Sequence, residues 1–203
     1  MSDKKLLTEW RPFEYTKEMI EESKRLNGGK IIMKGILQKA DTLNQNGRIY
    51  PLPILEREVR NYQKFISENR ALGECDHPES SVVELKNASH IVREAYMEGD
   101  VCYGTVELLD TPSGKILQSL VESGVTLGIS SRGVGSTRRD GDYDVVQDDF
   151  QLICWDYVSE PSTPGAFMMR EGRDISEGDL RKHFKKSDRV DRILNDIIDW
   201  SKD

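Results

Sequence analysis

Apolar and polar residues alternate moderately through KIIMKGILQKAD (Lys30 to Asp41), which predicts a strand. NQNGRIYP follows as a turn: Asn46-Gly47 supplies a positive φ and Pro51 stops the strand. In LPILEREVRNYQKFISEN, Leu55, Val59, Tyr62 and Ile66 recur at helical spacing, and Pro53 sits near the start. ALGECDHPES reads as a loop, and ASHIVREAYME and DVCYGTVELLD as strands. PSGKILQSLVESG predicts a helix, with Pro112 early and Gly124 at its end. TLGISSRGVGS (Thr126 to Ser136) starts as another strand. RDGDY makes a hairpin turn, and YDVVQDDFQLICWDYVSEP returns as strands.

The order is roughly β, α, several β, α, several β, α. It suits an α+β domain built on an antiparallel sheet or barrel with helices packed around it. Residues 1–28 are polar, hold a short helical pattern in TKEMIEESKRL, and close on Gly28-Gly29, so they read as an N-terminal extension. The domain itself is expected over 29–170. Residues 171–203 read as a polar linker and an amphipathic helix, with Val190, Ile193, Leu194, Ile197 and Ile198 in one stripe.

Composition narrows the function. At 203 residues and 36% hydrophobic, the chain builds one core. No apolar run of about 18 residues exists, and the N-terminus lacks a signal-peptide stretch, so no membrane role is expected. The net charge of −7 gives no general attraction to nucleic acid, with RKHFKK the local exception. Three cysteines (Cys75, Cys102, Cys154) without CxxC spacing argue for a reduced compartment, against a disulfide framework and against a zinc knuckle. Neither a P-loop nor GxGxxG is present, and adjacent Cys75, Asp76 and His77 would diverge rather than share an ion. No cofactor or metal is expected.

Histidine is scarce. His77, in GECDHPES, lies in a loop beside Pro78 and suits acid–base work; a solvated loop histidine is the competing reading. His90 reads as a satisfied sheet residue that is also able to orient another histidine, and His183 as solvated. The paired serines of GISSRG separate by strand alternation. Leu127, Ile129 and Ser131 share a core-like face, while Gly128, Ser130 and Arg132 share a roomier one. Ser130 is thus the favoured nucleophile and Ser131 the alternate. Arg132 and Gly133 are expected to serve an oxyanion or substrate; a strand ending in a polar bulge is the competing reading. The stretch is not a GxSxG elbow, because Gly133 falls five residues after Gly128. Asp156 stands in an apolar run, CWDYV, where an unpaired charge is costly; orienting a histidine is one such role, and an edge-strand or turn-capping aspartate the competing one. Cys75 or Cys154 acting with His77 is a weaker nucleophilic rival.

Taken in order, NQNGRIYP, ALGECDHP, GISSRGVGS and WDYVSEPSTPGA form a set that resembles the prohead core (maturation) proteases of tailed myophages, over roughly residues 30–170. The resemblance implies a fold shared with the herpesvirus assembly proteases, a small antiparallel β-barrel ringed by helices. It implies a serine endopeptidase that cleaves phage scaffold and major capsid proteins inside the assembling prohead, in the host cytoplasm. By position, His77 takes the base role and a serine of SSRG the nucleophile role. Herpesvirus relatives use a second histidine as third member; Asp156 is the substitute here. Relatives tend to cut after acidic residues, a preference Arg132, Arg138 and Arg139 would suit. Tail removal and homo-oligomerisation are the two switches open to a zymogen. A non-enzymatic scaffold or capsid-core protein with a protease-like barrel is the alternative, against which the retention of His, Ser and Asp argues.

Overall fold

The computed structural model describes residues 5–8, 11–12, 21, 24–78, 80–125, 127–159, 163 and 168–170. All belong to one compact unit, Met1–Gly172. The expected linker and helix at 171–203, with His183, lie outside the described residues, as does most of the TKEMIEESKRL pattern.

The strand that carries the serine pair, β8 (Gly128–Gly135), is central to a sheet. One edge pairs with β11 (Gln151–Val158), the other with β1 (Lys5–Thr8) and β2 (Arg11–Pro12), all antiparallel. Strands β1 and β2 fall within residues 1–28, expected as an N-terminal extension. These short strands complete the hydrogen bonding of β8, whose edge would otherwise present unpaired N–H and C=O groups.

A second, antiparallel sheet runs β12 (Met168–Arg170), β3 (Ile32–Lys39), β7 (Val101–Leu108), β6 (Ala88–Glu98), β5 (Leu72–Glu74). A parallel bridge from Cys75 to Tyr157 joins the end of β5 to β11. The third sheet orders β4 (Arg48–Ile49), β10 (Tyr143–Val146) and β9 (Thr137–Asp140), and its β4–β10 pair is parallel. The fold is α+β, as expected, but among the described residues the sheets do not close into the expected barrel.

Among the described residues, helices α1 (Leu52–Ser67) and α2 (Pro112–Glu122) pack on the sheets. α1 starts after Pro51 and buries Ile54, Leu55, Val59 and Tyr62, at the spacing of one face. The Tyr62 ring meets buried Trp155 of β11 edge-on, centroids 4.8 Å apart. Glu58 on the same face is also buried and accepts from the Leu152 N–H at 2.8 Å, while Arg57 donates to the Phe150 carbonyl at 2.8 Å. These contacts dock α1 onto the start of β11. α2 is capped by Thr111, whose hydroxyl accepts from the Gly114 N–H at 3.0 Å.

Candidate active site

The β8–β11 register builds the site. Leu152 opposes Gly133, but Cys154 opposes Arg132, so Ile153 is an extra residue, a β-bulge. Beyond it Trp155 opposes Ser131 and Asp156 opposes Ser130. Cross-strand partners share a face. Ser130, Arg132, Cys154 and Asp156 therefore gather on one side of the sheet. Ser131 points to the other side, is fully buried, and its hydroxyl has no hydrogen-bond partner among the described residues.

His77 arrives from the β5 end. The Cys75–Tyr157 bridge and an Asp76 N–H bond to the Tyr157 carbonyl, 2.7 Å, pin the chain to β11. Asp76 then takes φ 60°, a left-handed turn that aspartate adopts more readily than most residues, and the chain swings His77 over Ser130. His77 Nε2 lies 2.7 Å from Ser130 Oγ, and Nδ1 lies 3.1 Å from Asp156 Oδ2. An ionised carboxylate only accepts, so Nδ1 carries the proton and Nε2 is left to accept from the serine hydroxyl. The imidazole is about one-fifth exposed, at 21%, whereas Ser130 and Asp156 are wholly buried. Ser130 therefore does not face a surface groove.

The Asp156 carboxylate is saturated. Oδ2 also accepts from Arg132 Nε at 2.7 Å. Oδ1 accepts from the Glu74 N–H at 2.9 Å, Arg132 Nη2 at 3.1 Å and the Cys154 thiol at 3.2 Å. Burial pushes this carboxyl up, but the His77 bond, the Arg132 charge and bonds, and the Glu74 N–H outweigh it and hold it below the ordinary carboxylate value.

Arg132 and Gly133, expected to serve an oxyanion or substrate, have other partners in the structure. Arg132 is fully buried, and its guanidinium is committed to Asp156, to the Glu74 carboxylate and to the Ser80 carbonyl at 2.8 Å. Burial opposes its charge, but Cys154, Asp156 and Glu74 more than offset this and raise it above the ordinary guanidinium value. Gly133 is three residues past Ser130, about 10 Å along a strand. A Cβ there would stand 2.4 Å from the Phe150 ring, so this glycine serves packing. Arg138 and Arg139 lie exposed on β9 in another sheet.

The sulfur rivals are weakened by their surroundings. Burial raises the Cys75 and Cys154 thiols, and each donates: Cys75 to the Ser113 carbonyl at 3.6 Å, Cys154 to Asp156. His90 is fully buried, with its ring between the Ser89 hydroxyl and the Trp155 carbonyl, each at 2.8 Å. Burial lowers its pKa to about 4, so it stays neutral. Its bonds do not run to His77. No group of three or more His, Cys, Asp or Glu among the described residues could hold a metal ion.

Glu74 was missed from the sequence, although one signal pointed to it. The same reasoning that singled out Asp156, a charge in a strand that must find a partner, applies to Glu74 beside Gly73 and to Arg132 among small residues.

Ser130, His77 and Asp156 thus stand in the geometric order of a serine-protease triad. The sequence profile described as prohead core protein serine protease matches residues 8–179. The prohead core protein protease of Enterobacteria phage T4 is 33% identical over 143 residues, 68% of this chain and 68% of that protein. The solved structure of the bacteriophage T4 capsid assembly protease, gp21, aligns with a TM-score of 0.67 at 25% identity, covering 78% of this chain and 99% of that one. The chain belongs to the family of prohead core protein serine proteases. It is a protease of phage capsid maturation.

Proposed function

We propose that the chain is a serine endopeptidase whose nucleophile is Ser130, whose general base is His77 and whose orienting carboxylate is Asp156. Its substrates are the scaffold and major capsid proteins of its phage, cut inside the assembling prohead in the host cytoplasm. The observation that carries this reading is the double engagement of one imidazole, with Ser130 Oγ at 2.7 Å and Asp156 Oδ2 at 3.1 Å. Ser130 attacks the scissile carbonyl as its proton passes to His77 Nε2. Asp156 holds the Nδ1–H tautomer and stabilises the imidazolium. His77 then protonates the leaving amine, and water repeats the sequence to release the acyl group.

Full burial of Ser130 supports a latent state, since a substrate carbonyl needs that hydroxyl uncovered. Activation then includes exposing Ser130 while keeping the His77 contact. Kinship in fold with the herpesvirus assembly proteases is part of this proposal.

The test is co-expression with the phage scaffold protein. His77→Ala, a partly exposed loop position, should fold and lose cleavage by several orders of magnitude. His90→Ala, if folded, should keep its cleavage. Normal scaffold processing by folded His77→Ala would sink the assignment.

A further inference from the structure

The triad explains neither Arg132 nor Glu74, yet both are wholly buried against it. A buried charge pair is a weak source of stability, because desolvation consumes most of its attraction. We propose that Arg132 and Glu74 are positioning residues of the triad. Arg132 clamps the Asp156 carboxylate toward His77, and Glu74 neutralises Arg132 so that the charge of Asp156 acts on the imidazole. This inference rests on the triad reading above.

Geometry supports the clamp. Arg132 grips both Asp156 oxygens through Nε and Nη2, which fixes the plane of the carboxylate as a single donor would not. Oδ2 is the oxygen shared by Arg132 and His77. Charge count supports the second half. A guanidinium on that shared oxygen would by itself cancel Asp156 and repel the imidazolium that forms as Ser130 gives up its proton. With Glu74 on the far side of Arg132, two carboxylates face one guanidinium. Protonating His77 then brings the cluster to neutrality, in a water-poor setting where such balance matters.

The pair also holds the loop that follows His77. Glu74 Oε1 accepts from the Glu84 N–H at 3.1 Å, and Arg132 Nη1 donates to the Ser80 carbonyl. Among the described residues, Ser130 and Asp156 meet the His77 ring, Arg132 and Cys154 bond to Asp156, and Glu74 bonds to Arg132. Tyr62 of α1 packs on Trp155, whose side chain leaves β11 on the face opposite Cys154 and Asp156. Of these, only Arg132 is a cation.

The chain has three histidines, which makes the imidazole resonances assignable. The experiment uses full-chain protein carrying Ser130→Ala, to prevent self-cleavage, and follows the His77 resonance against pH by NMR. Adding Glu74→Gln should move its midpoint down, and adding Arg132→Gln should move it up. With Ser130 intact, Glu74→Gln should lower kcat for scaffold cleavage and leave KM nearly unchanged. A merely structural pair would not shift the midpoint in opposite directions. An unmoved midpoint, or shifts of the same sign, overturns the proposal. If one variant does not fold, the other decides; if neither folds, the pair is structural and the proposal fails. Scaffold cleavage by Ser130→Ala would instead defeat the triad reading, whatever the titration shows.

Discussion

Asp156 stands directly across the β8–β11 ladder from Ser130. The bulge at Ile153 creates this pairing. Had the Leu152–Gly133 register continued, Trp155 would oppose Ser130 and the carboxylate would face the wrong side. His77 then needs only to bridge two neighbouring side chains. Asp156→Asn should leave a slow enzyme, down on the order of 10⁴-fold in kcat, because the amide no longer enforces the Nδ1–H tautomer. The same change weakens the partnership of a buried guanidinium, so a stability loss of a few kcal/mol should accompany it. Steady-state kinetics and urea unfolding on one preparation separate the two effects.

Acid should weaken the fold through His90. Its folded pKa is about 4 and its ordinary value 6.5, so between these the unfolded chain binds the extra proton. Stability therefore falls as pH drops from 6.5 toward 4, by on the order of 3 kcal/mol at the low end. Asp156 adds to the loss only as pH falls below the ordinary carboxylate value of 3.8. Urea unfolding of wild type and His90→Gln at several pH values checks this. The variant should start less stable and lose less across the window; equal slopes would contradict the assignment.

Gly73→Ala should be severe for so small a change. A Cβ there would stand 2.2 Å from both His90 Nε2 and the Trp155 carbonyl. Either the imidazole leaves its acceptor or β11 shifts, one residue from Asp156. A loss of at least about 2 kcal/mol is expected, with reduced activity in the protein that still folds. Thermal unfolding and scaffold cleavage measure both.

Much of this site was legible in the chain. Strand alternation through LGISSRG separates Ser130 from Ser131, because a side-chain period of two survives wherever the strand is regular. The scarcity of histidine singled out His77, and a carboxylate inside CWDYV demanded a partner. The Ile153 bulge was not legible, since inserting one residue into a ladder depends on the partner strand rather than on local composition. The ion pairs of Arg132 were not legible for a related reason. Its charge looks available next to glycines, but Glu74 arrives from a strand 58 residues away. The pairing of Lys5–Thr8 and Arg11–Pro12 with β8 was hidden too: short, polar-flanked strands carry little pattern, and only the unsatisfied edge of β8 calls for them.

The serine pair offers the most direct test of the central claim. Wild type, Ser130→Ala and Ser131→Ala should be co-expressed with the scaffold protein, and the scaffold fragments followed over time. Ser131 lies on the buried face, where loss of a hydroxyl without a hydrogen-bond partner among the described residues disturbs little, so its variant should cleave at near wild-type rate. Ser130→Ala should fold, because among the described residues the hydroxyl contributes one bond to a side chain, and should leave the scaffold intact. Cleavage by Ser130→Ala together with an inactive but folded Ser131→Ala would contradict the account.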